Sequence, residues 1–275
     1  MKGMVTEEEL QLFRRRVWGY YRSHGRDLPW RRTQDPYHIL VSEIMLQQTR
    51  VERVEGRYER FLERFPDIQA LARARLAEVL AGWQGLGYNR RAQALRDTAR
   101  IVVEQYGGRL PQDESVLVTL PGIGKATAAS IAAFAFNRPV LVIETNIRRV
   151  FLHCFFAGRD RVPDRELLPL IAAACDRDNP REWYYALMDL GSRFRSKFPN
   201  PNRRSAHYQR QAAFEGSSRQ ARGRLVRLLL DHPGGLALAD LAARAGLGEE
   251  QCRTLVGALA DEGILQIEGS RAVIP

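Results

Sequence analysis

The sequence predicts an all-α protein closed at its C-terminal end by a small module of three helices and a short β-hairpin. Two observations carry the helical part. Apolar residues recur at three- and four-residue spacing over residues 10–21, 39–54, 58–65, 76–83, 91–106, 125–136 and 182–191, the period of a helix with one buried face. Proline and glycine fall between these stretches, at Asp35-Pro36, Phe65-Pro66, Gly85-Leu86-Gly87, Gly107-Gly108 and Leu110-Pro111, and separate one helix from the next. A third observation marks the module. After residue 216 the helical period covers 219–230, 238–245 and 249–262. The chain then alternates through Ile264-Leu265-Gln266-Ile267-Glu268, turns at Gly269-Ser270 and runs on through Arg271-Ala272-Val273-Ile274, a hairpin pattern. Three helices followed by a hairpin is the plan of a winged helix-turn-helix, which sends a recognition helix into the DNA major groove or, in the same shape, docks a protein.

With 275 residues, 45% of them hydrophobic and 27% charged, the chain can bury a core in one large domain or in two or three small ones. The longest apolar stretches, such as residues 128–136, are too short to cross a bilayer. Met1-Lys2-Gly3-Met4 runs into Glu7-Glu8-Glu9 with no apolar signal segment, so a cytoplasmic location is expected. Cys154, Cys175 and Cys252 are odd in number and far apart, which excludes a disulfide framework and metal-ligand spacing and reads each as a small buried hydrophobe. The net charge is +10, and it is concentrated: between Arg193 and Arg227, ten Lys and Arg stand against the single Glu215. Solubility is usually served by mixed signs, so a one-signed run points to a polyanion, nucleic acid.

Two features carry chemistry. The first is Leu120-Pro121-Gly122-Ile123-Gly124-Lys125, followed by the small apolar helix of residues 126–136. Gly122 and Gly124 let the backbone turn sharply against a phosphate, the helix behind them offers free N–H groups, and Lys125 stands beside the turn. The second is a pair of acids. Glu43 sits in the largely apolar turn Val41-Ser42-Glu43-Ile44-Met45-Leu46-Gln47-Gln48-Thr49, and Glu144 follows Val140-Leu141-Val142-Ile143 and precedes Thr145-Asn146. A carboxyl among apolar walls is biased toward its protonated form, which suits a general acid, while a second carboxylate can stabilise a cationic sugar and steer water. Either acid alone would equally serve as a helix N-cap or a salt-bridged core carboxylate.

The ordered motifs Leu28-Pro29-Trp30-Arg31, Asp35-Pro36-Tyr37, residues 42–49, Gly85-Leu86-Gly87-Tyr88, Leu120–Gly124 and Met188-Asp189-Leu190-Gly191 closely resemble the MutY adenine glycosylases and, more broadly, the helix-hairpin-helix superfamily that includes endonuclease III. The likeness covers roughly residues 10–195. It implies a two-lobed, all-α helix-hairpin-helix glycosylase domain over residues 1–192 with the active site between the lobes; beyond the likeness, the charge run marks a basic loop over 193–216 and the helix-and-hairpin pattern a winged helix-turn-helix over 217–275. The likeness implies that Glu43 protonates the departing adenine, that Glu144 stabilises the oxocarbenium-like sugar and that Asn146 supports it. By the same resemblance Tyr88 and Gln48 wedge into the duplex, and Gln48, Thr49 and Leu86 contact the opposite base, 8-oxoguanine. Trp30, Arg31, Leu46, Ala126 and Tyr185 fall at base-pocket positions. The carbonyls of Val118, Leu120 and Ile123 match those that hold a monovalent cation in some members. The expected partner is double-stranded DNA containing a mismatch or lesion, bound by a nucleoid-associated monomer.

The sequence departs from that family at five points. Glu144 replaces an aspartate and sets its carboxylate one methylene further out. Arg195, Asn202, Ser205 and about Gln211 occupy the region where four cysteines would bind an iron–sulfur cluster, so neither cluster nor other cofactor is expected. Arg203 and Arg204 of the replacing stretch, with His207 and Arg210, are expected to contact phosphates, its order coming from packing of His207 and Tyr208 and from bound phosphate. Ala126 stands where bifunctional relatives carry the Schiff-base lysine, which implies a monofunctional enzyme that uses water, with Lys125 pointing elsewhere. The family's C-terminal domain is replaced by the winged-helix pattern, and Tyr185 replaces an acid or amide. Three readings follow: excision of adenine opposite 8-oxoguanine or guanine; excision of uracil, thymine or hypoxanthine; and a non-catalytic DNA-binding protein, against which the retention of both acids argues.

Overall fold

The computed structural model describes residues 5–209 and 214–275. In chain order its helices are α1 (Glu7–His24), α2 (Pro36–Leu46), α3 (Val51–Val54), α4 (Arg57–Arg64), α5 (Ile68–Arg73), α6 (Leu76–Gly82) and α7 (Arg90–Tyr106). They continue with α8 (Glu114–Leu117), α9 (Lys125–Phe136), α10 (Thr145–Phe155), α11 (Asp164–Ala174) and α12 (Pro180–Lys197). The C-terminal part holds α13 (Ser218–Leu230), β1 (Leu236–Ala237), α14 (Leu238–Ala245), α15 (Glu249–Asp261), β2 (Gln266–Glu268) and β3 (Arg271–Val273). The chain divides into two compact units. One comprises Met1–Ile39, Gln112–Val118 and Ile123–Arg210, and the other Leu40–Pro111, Thr119–Gly122 and Gln211–Pro275.

In the first unit α12 packs against α1, α9 and α10. Phe13 of α1 meets Phe151 and Trp183 at ring-centroid distances of 5.3 and 6.1 Å, and Trp18 meets Trp183 at 5.7 Å. α1 starts where it does because Thr6 and Glu9 form a reciprocal capping box over the first turn. α9 is buried almost all round from Ala128 to Ala135, mostly by small residues, and ends where Asn137 takes a left-handed conformation at φ 51°. Gly191 lets α12 lie close on α10: a Cβ there would collide with the carbonyl oxygen of Asn146 and come within 2.7 Å of its Cβ.

In the second unit α7 carries a stripe of fully buried residues (Ala92, Leu95, Ala99 and Val102) against α5 and α6, and Trp83 closes the layer edge-on to Phe61 at 5.9 Å. The C-terminal helices pack on one another, with α13 also resting on α6. The three strands form one antiparallel sheet in the order β1-β3-β2, with Leu236 opposite Ala272 and Ile267 opposite Ala272 on the other side.

The helical class and the terminal hairpin match the sequence reading, but several boundaries do not. The expected helix over 39–54 breaks after Leu46, because Gln48 adopts φ 53°, which no helix interior tolerates. α12 runs to Lys197, so the first basic residues after 192 are helical rather than loop. α5, α8, α10, α11 and β1 were not legible. α5, α8 and β1 are too short to show a period, α11 contains Pro169, and α10 follows an apolar run that reads as extended. Cys154 is exposed on α10, whereas Cys175 and Cys252 are buried.

Gly191→Ala should therefore force α12 off α10. A loss of about 1–3 kcal/mol is expected, read as a lowered thermal midpoint; an unchanged midpoint would show that the two helices tolerate a methyl group between them.

Candidate active site

Glu144 is the N-cap of α10. Its Oε1 accepts from the backbone N–H groups of Asn146 and Ile147 at 2.7 and 2.8 Å, and its Oε2 from Asn146 Nδ2 at 3.3 Å. Glutamate is a rare N-cap, because its carboxylate lies one methylene beyond the reach of Asp or Asn. Here the longer side chain folds back over the helix end, so the extra length is absorbed locally. Asn146 is oriented in turn by Arg149, whose Nη1 donates to Asn146 Oδ1 at 2.6 Å and to the Gly191 carbonyl at 2.8 Å. Burial pushes the Glu144 carboxyl above its ordinary range, opposed by the two backbone N–H groups and by Arg149 and Arg148. Arg149, itself only 4% exposed, was invisible to sequence reasoning, since an arginine on a helix ordinarily reads as solvated.

The same unit holds most of the expected base pocket. Trp30 and Tyr185 are each 3% exposed. The Arg31 guanidinium lies 4.4 Å over the Tyr185 ring, and Tyr185 stacks on Phe134 at 4.5 Å. Asp189 holds Arg31 through a bidentate pair at 2.8 and 2.9 Å and also receives Arg26 at 2.6 Å. Burial would raise the Asp189 carboxyl, but Arg31 and Arg26 outweigh it and hold it below the ordinary range. Lys125 and Ala126 are exposed in the first turn of α9.

The second unit carries Glu43, Leu46, Gln48, Thr49, Leu86 and Tyr88. Glu43 is half-buried on α2 between the buried Ser42 and Ile44. Beyond α2 the loop is organised by Arg91, a residue the sequence did not single out. Its Nη1 donates to the carbonyls of Ile44, Met45 and Gln47 at 2.9, 2.9 and 2.5 Å. Its Nη2 donates to Thr49 Oγ1 at 3.0 Å and to the carbonyls of Leu86 and Gly87 at 3.2 Å each. Among the described residues no carboxylate takes part, and burial lowers the guanidinium pKa to about 10. Gln48 and Tyr88, the two expected wedge residues, both have left-handed backbones at φ 53° and 50°, a conformation that costs a non-glycine residue about 1–3 kcal/mol. Gly85 takes φ 84° above Arg57, whose Nε donates to the Gln84 carbonyl at 3.2 Å. Leu86 is buried and Tyr88 is 37% exposed.

The hairpin turn has Gly122 at φ 74°, tight against Ala94. Gln47 Nε2 donates to the Gly122 carbonyl at 3.0 Å and Thr98 Oγ1 to the Pro121 carbonyl at 2.9 Å. Gly124 caps α9 without a side-chain hydrogen bond, so the first N–H groups of that helix lack a side-chain acceptor from their cap. Downstream, Pro201–Arg204 forms a single 3-10 turn. Its order comes from Asn202, buried and donating to the Thr145 carbonyl at 3.0 Å, and from Val162, which pairs with Ser205 and whose N–H donates to the Arg204 carbonyl at 2.8 Å. His207 and Tyr208 are exposed, which corrects the expectation that they anchor the segment. Arg203 is exposed and Arg204 half-buried; Arg210 and Gln211 lie outside the described residues.

Among the described residues no group of His, Cys, Asp and Glu has metal-site geometry, and no helix is long and apolar enough to cross a membrane. Residues 41–169 match the HhH-GPD superfamily of base excision DNA repair proteins. The adenine DNA glycosylase of Mycobacterium tuberculosis is 36% identical over 93% of this chain and 91% of its own. A thermostable thymine-DNA glycosylase structure is 27% identical with a TM-score of 0.61, over 68% of this chain and 88% of that one. An endonuclease III–DNA complex has the same fold at a TM-score of 0.57 and 17% identity, over 67% of this chain and 85% of that one. A helical base-excision fold and an ordered carboxylate at a helix end define the class. The chain belongs to the adenine DNA glycosylase family within it.

NMR titration of the side-chain carboxyl carbons should find Glu144 titrating above the ordinary glutamate value of 4.5. In Arg149→Met, which removes a cation that lowers it, the midpoint should rise further. A Glu144 midpoint at or below 4.5, or a fall in the variant, would contradict the balance of burial and charge described for this carboxyl.

Proposed function

We propose that the protein is a monofunctional DNA glycosylase of base excision repair that flips out adenine mispaired with 8-oxoguanine or guanine and hydrolyses its N-glycosidic bond. The observation that carries this reading is the Glu144 carboxylate, held in one orientation by two backbone N–H groups and by an asparagine that Arg149 fixes. A fixed anion of this kind suits a transition state in which positive charge develops on the deoxyribose. In the proposed reaction Glu43 donates a proton to the departing adenine as the C1′–N9 bond breaks. Glu144 stabilises the cationic sugar, water adds at C1′ and gives up a proton that restores the Glu43 acid, and adenine and an abasic site are released. Trp30, Arg31, Leu46, Ala126 and Tyr185 would receive the flipped base, and Gln48 and Tyr88 would fill the gap it leaves, with Gln48, Thr49 and Leu86 against the opposite base. Flipping costs a few kcal/mol of unstacking, which phosphate contacts at Gly122, Gly124, Lys125, Arg203 and Arg204 would offset. The carbonyls of Val118, Leu120 and Ile123, neutral hard oxygens, are the donor set that would hold a monovalent cation.

Residues 1–192 would form the glycosylase part, 193–216 the basic segment and 217–275 a winged helix-turn-helix, the last supported by the order of α13, β1, α14, α15, β2 and β3. The likeness to a thymine-DNA glycosylase and the Tyr185 pocket favour thymine as the second substrate to try. A panel of duplexes with single mismatches or lesions, incubated with the protein and then treated with alkali, discriminates the two. Release of adenine opposite 8-oxoguanine supports the proposal, and release of thymine alone replaces it.

Glu43→Gln should abolish base release in single turnover while leaving DNA affinity nearly intact, because the amide keeps the size but not the acidic proton; near-normal release would remove Glu43 from the mechanism. Wild-type protein should nick DNA only after alkali and give no borohydride-trapped adduct, since Ala126 offers no amine. Efficient trapping would make another amine, Lys125 first, the nucleophile.

A further inference from the structure

The residues around Tyr88 do not stand alone in their unit. A cavity of about 760 Å³ is walled on one side by Gln48, Arg50, Arg53 and the 84–89 loop and on the other by α13. Arg219, Gly223 and Arg227 lie four residues apart along one face of α13, and all three line the cavity. Arg219 Nη1 donates to Tyr88 Oη at 2.5 Å, and its guanidinium lies 5.6 Å from the centre of that ring. No carboxylate lines this cavity among the described residues, although five arginines do. In the adjoining cavity Glu262 is already bonded to Arg222. Gly223 meets nothing within 4 Å of where its Cβ would stand. Glycine inside a helix costs about 0.5–1 kcal/mol against alanine, and here it leaves the middle of the basic face open.

α15 has the opposite character. It occupies the place of a recognition helix, whose N-terminal residues reach the bases. Its first turn carries Glu249 and Glu250, both exposed, and its outward face adds only Arg253 as a cation. Two carboxylates at that end stabilise the helix dipole but repel a phosphate backbone.

We propose that the C-terminal module grips DNA through α13 and not through α15, with Arg219 and Arg227 holding backbone phosphates of the duplex beside Tyr88. This rests on the reading of the protein as a DNA glycosylase, and it assigns to α13 a role in positioning DNA at the wedge. Phosphate contacts orient a duplex without reading its sequence, so the module would add affinity where the duplex is opened.

The test is equilibrium binding of the full chain to a mismatch-bearing and an undamaged duplex across a salt series. Arg219→Ala/Arg227→Ala should shallow the plot of log affinity against log salt by about two units, equally on both duplexes. Arg219→Lys/Arg227→Lys keeps both charges and should retain the slope, with unchanged thermal midpoints showing that the variants are folded. Glu249→Lys/Glu250→Lys should leave the slope as it is. An unchanged slope in the alanine variant overturns the inference, as does a steeper slope in the α15 variant. A loss confined to the mismatch-bearing duplex overturns the phosphate assignment. If wild-type protein releases no base from any duplex while the alanine variant still loses its slope, the enzymatic reading fails and this one stands. The converse result separates them the other way.

Discussion

The guanidinium of Arg91 fills the position at the end of α2 that a further turn of helix would occupy. Helix ends leave carbonyls without partners, and here one half-buried cation takes up two of them together with the Gln47 carbonyl, the Thr49 hydroxyl and two carbonyls of the 85–88 loop. A cation suits the negative end of the helix dipole. Because it serves two loops at once, the left-handed backbones at Gln48 and Tyr88 are held together from beneath. Their strain persists because the surrounding contacts over-determine it.

The other unit solves a similar problem at the opposite end of a helix. At the N-terminus of α10 the exposed N–H groups favour an anion, and Glu144 supplies it. The cap uses mainly one oxygen and fixes the direction of the other, so the proposed role of this carboxylate toward a cationic sugar is compatible with its role as a cap. Gly191 and Arg149 complete the arrangement, the first by letting α12 approach and the second by orienting Asn146. The pair Asp189–Arg31 does the same for the Tyr185 face.

The C-terminal module shows how element order and function can part. Its three helices and small antiparallel sheet have the element order expected of a module that reads the major groove, yet charge is distributed the other way, with the cations on the first helix and the acids on the third. Fold leaves that choice open; surface charge narrows it.

The sequence alone determined the helical class, most of the long helices, the terminal hairpin and the family. These rest on periodicity, on turn residues and on motifs whose order survives in one dimension. α9 and α14 fall on the residues the pattern indicated, because glycine or asparagine bounds them. The sequence did not reveal α10 or α11, the break after Leu46, or that Arg91 in one unit and Arg149 and Asp189 in the other hold their own neighbours in place. Only the tertiary structure decided those, along with which basic residues stand together on α13. A buried arginine and a solvated one are the same letter, and what distinguishes them is the set of carbonyls and carboxylates that distant segments bring within hydrogen-bond reach.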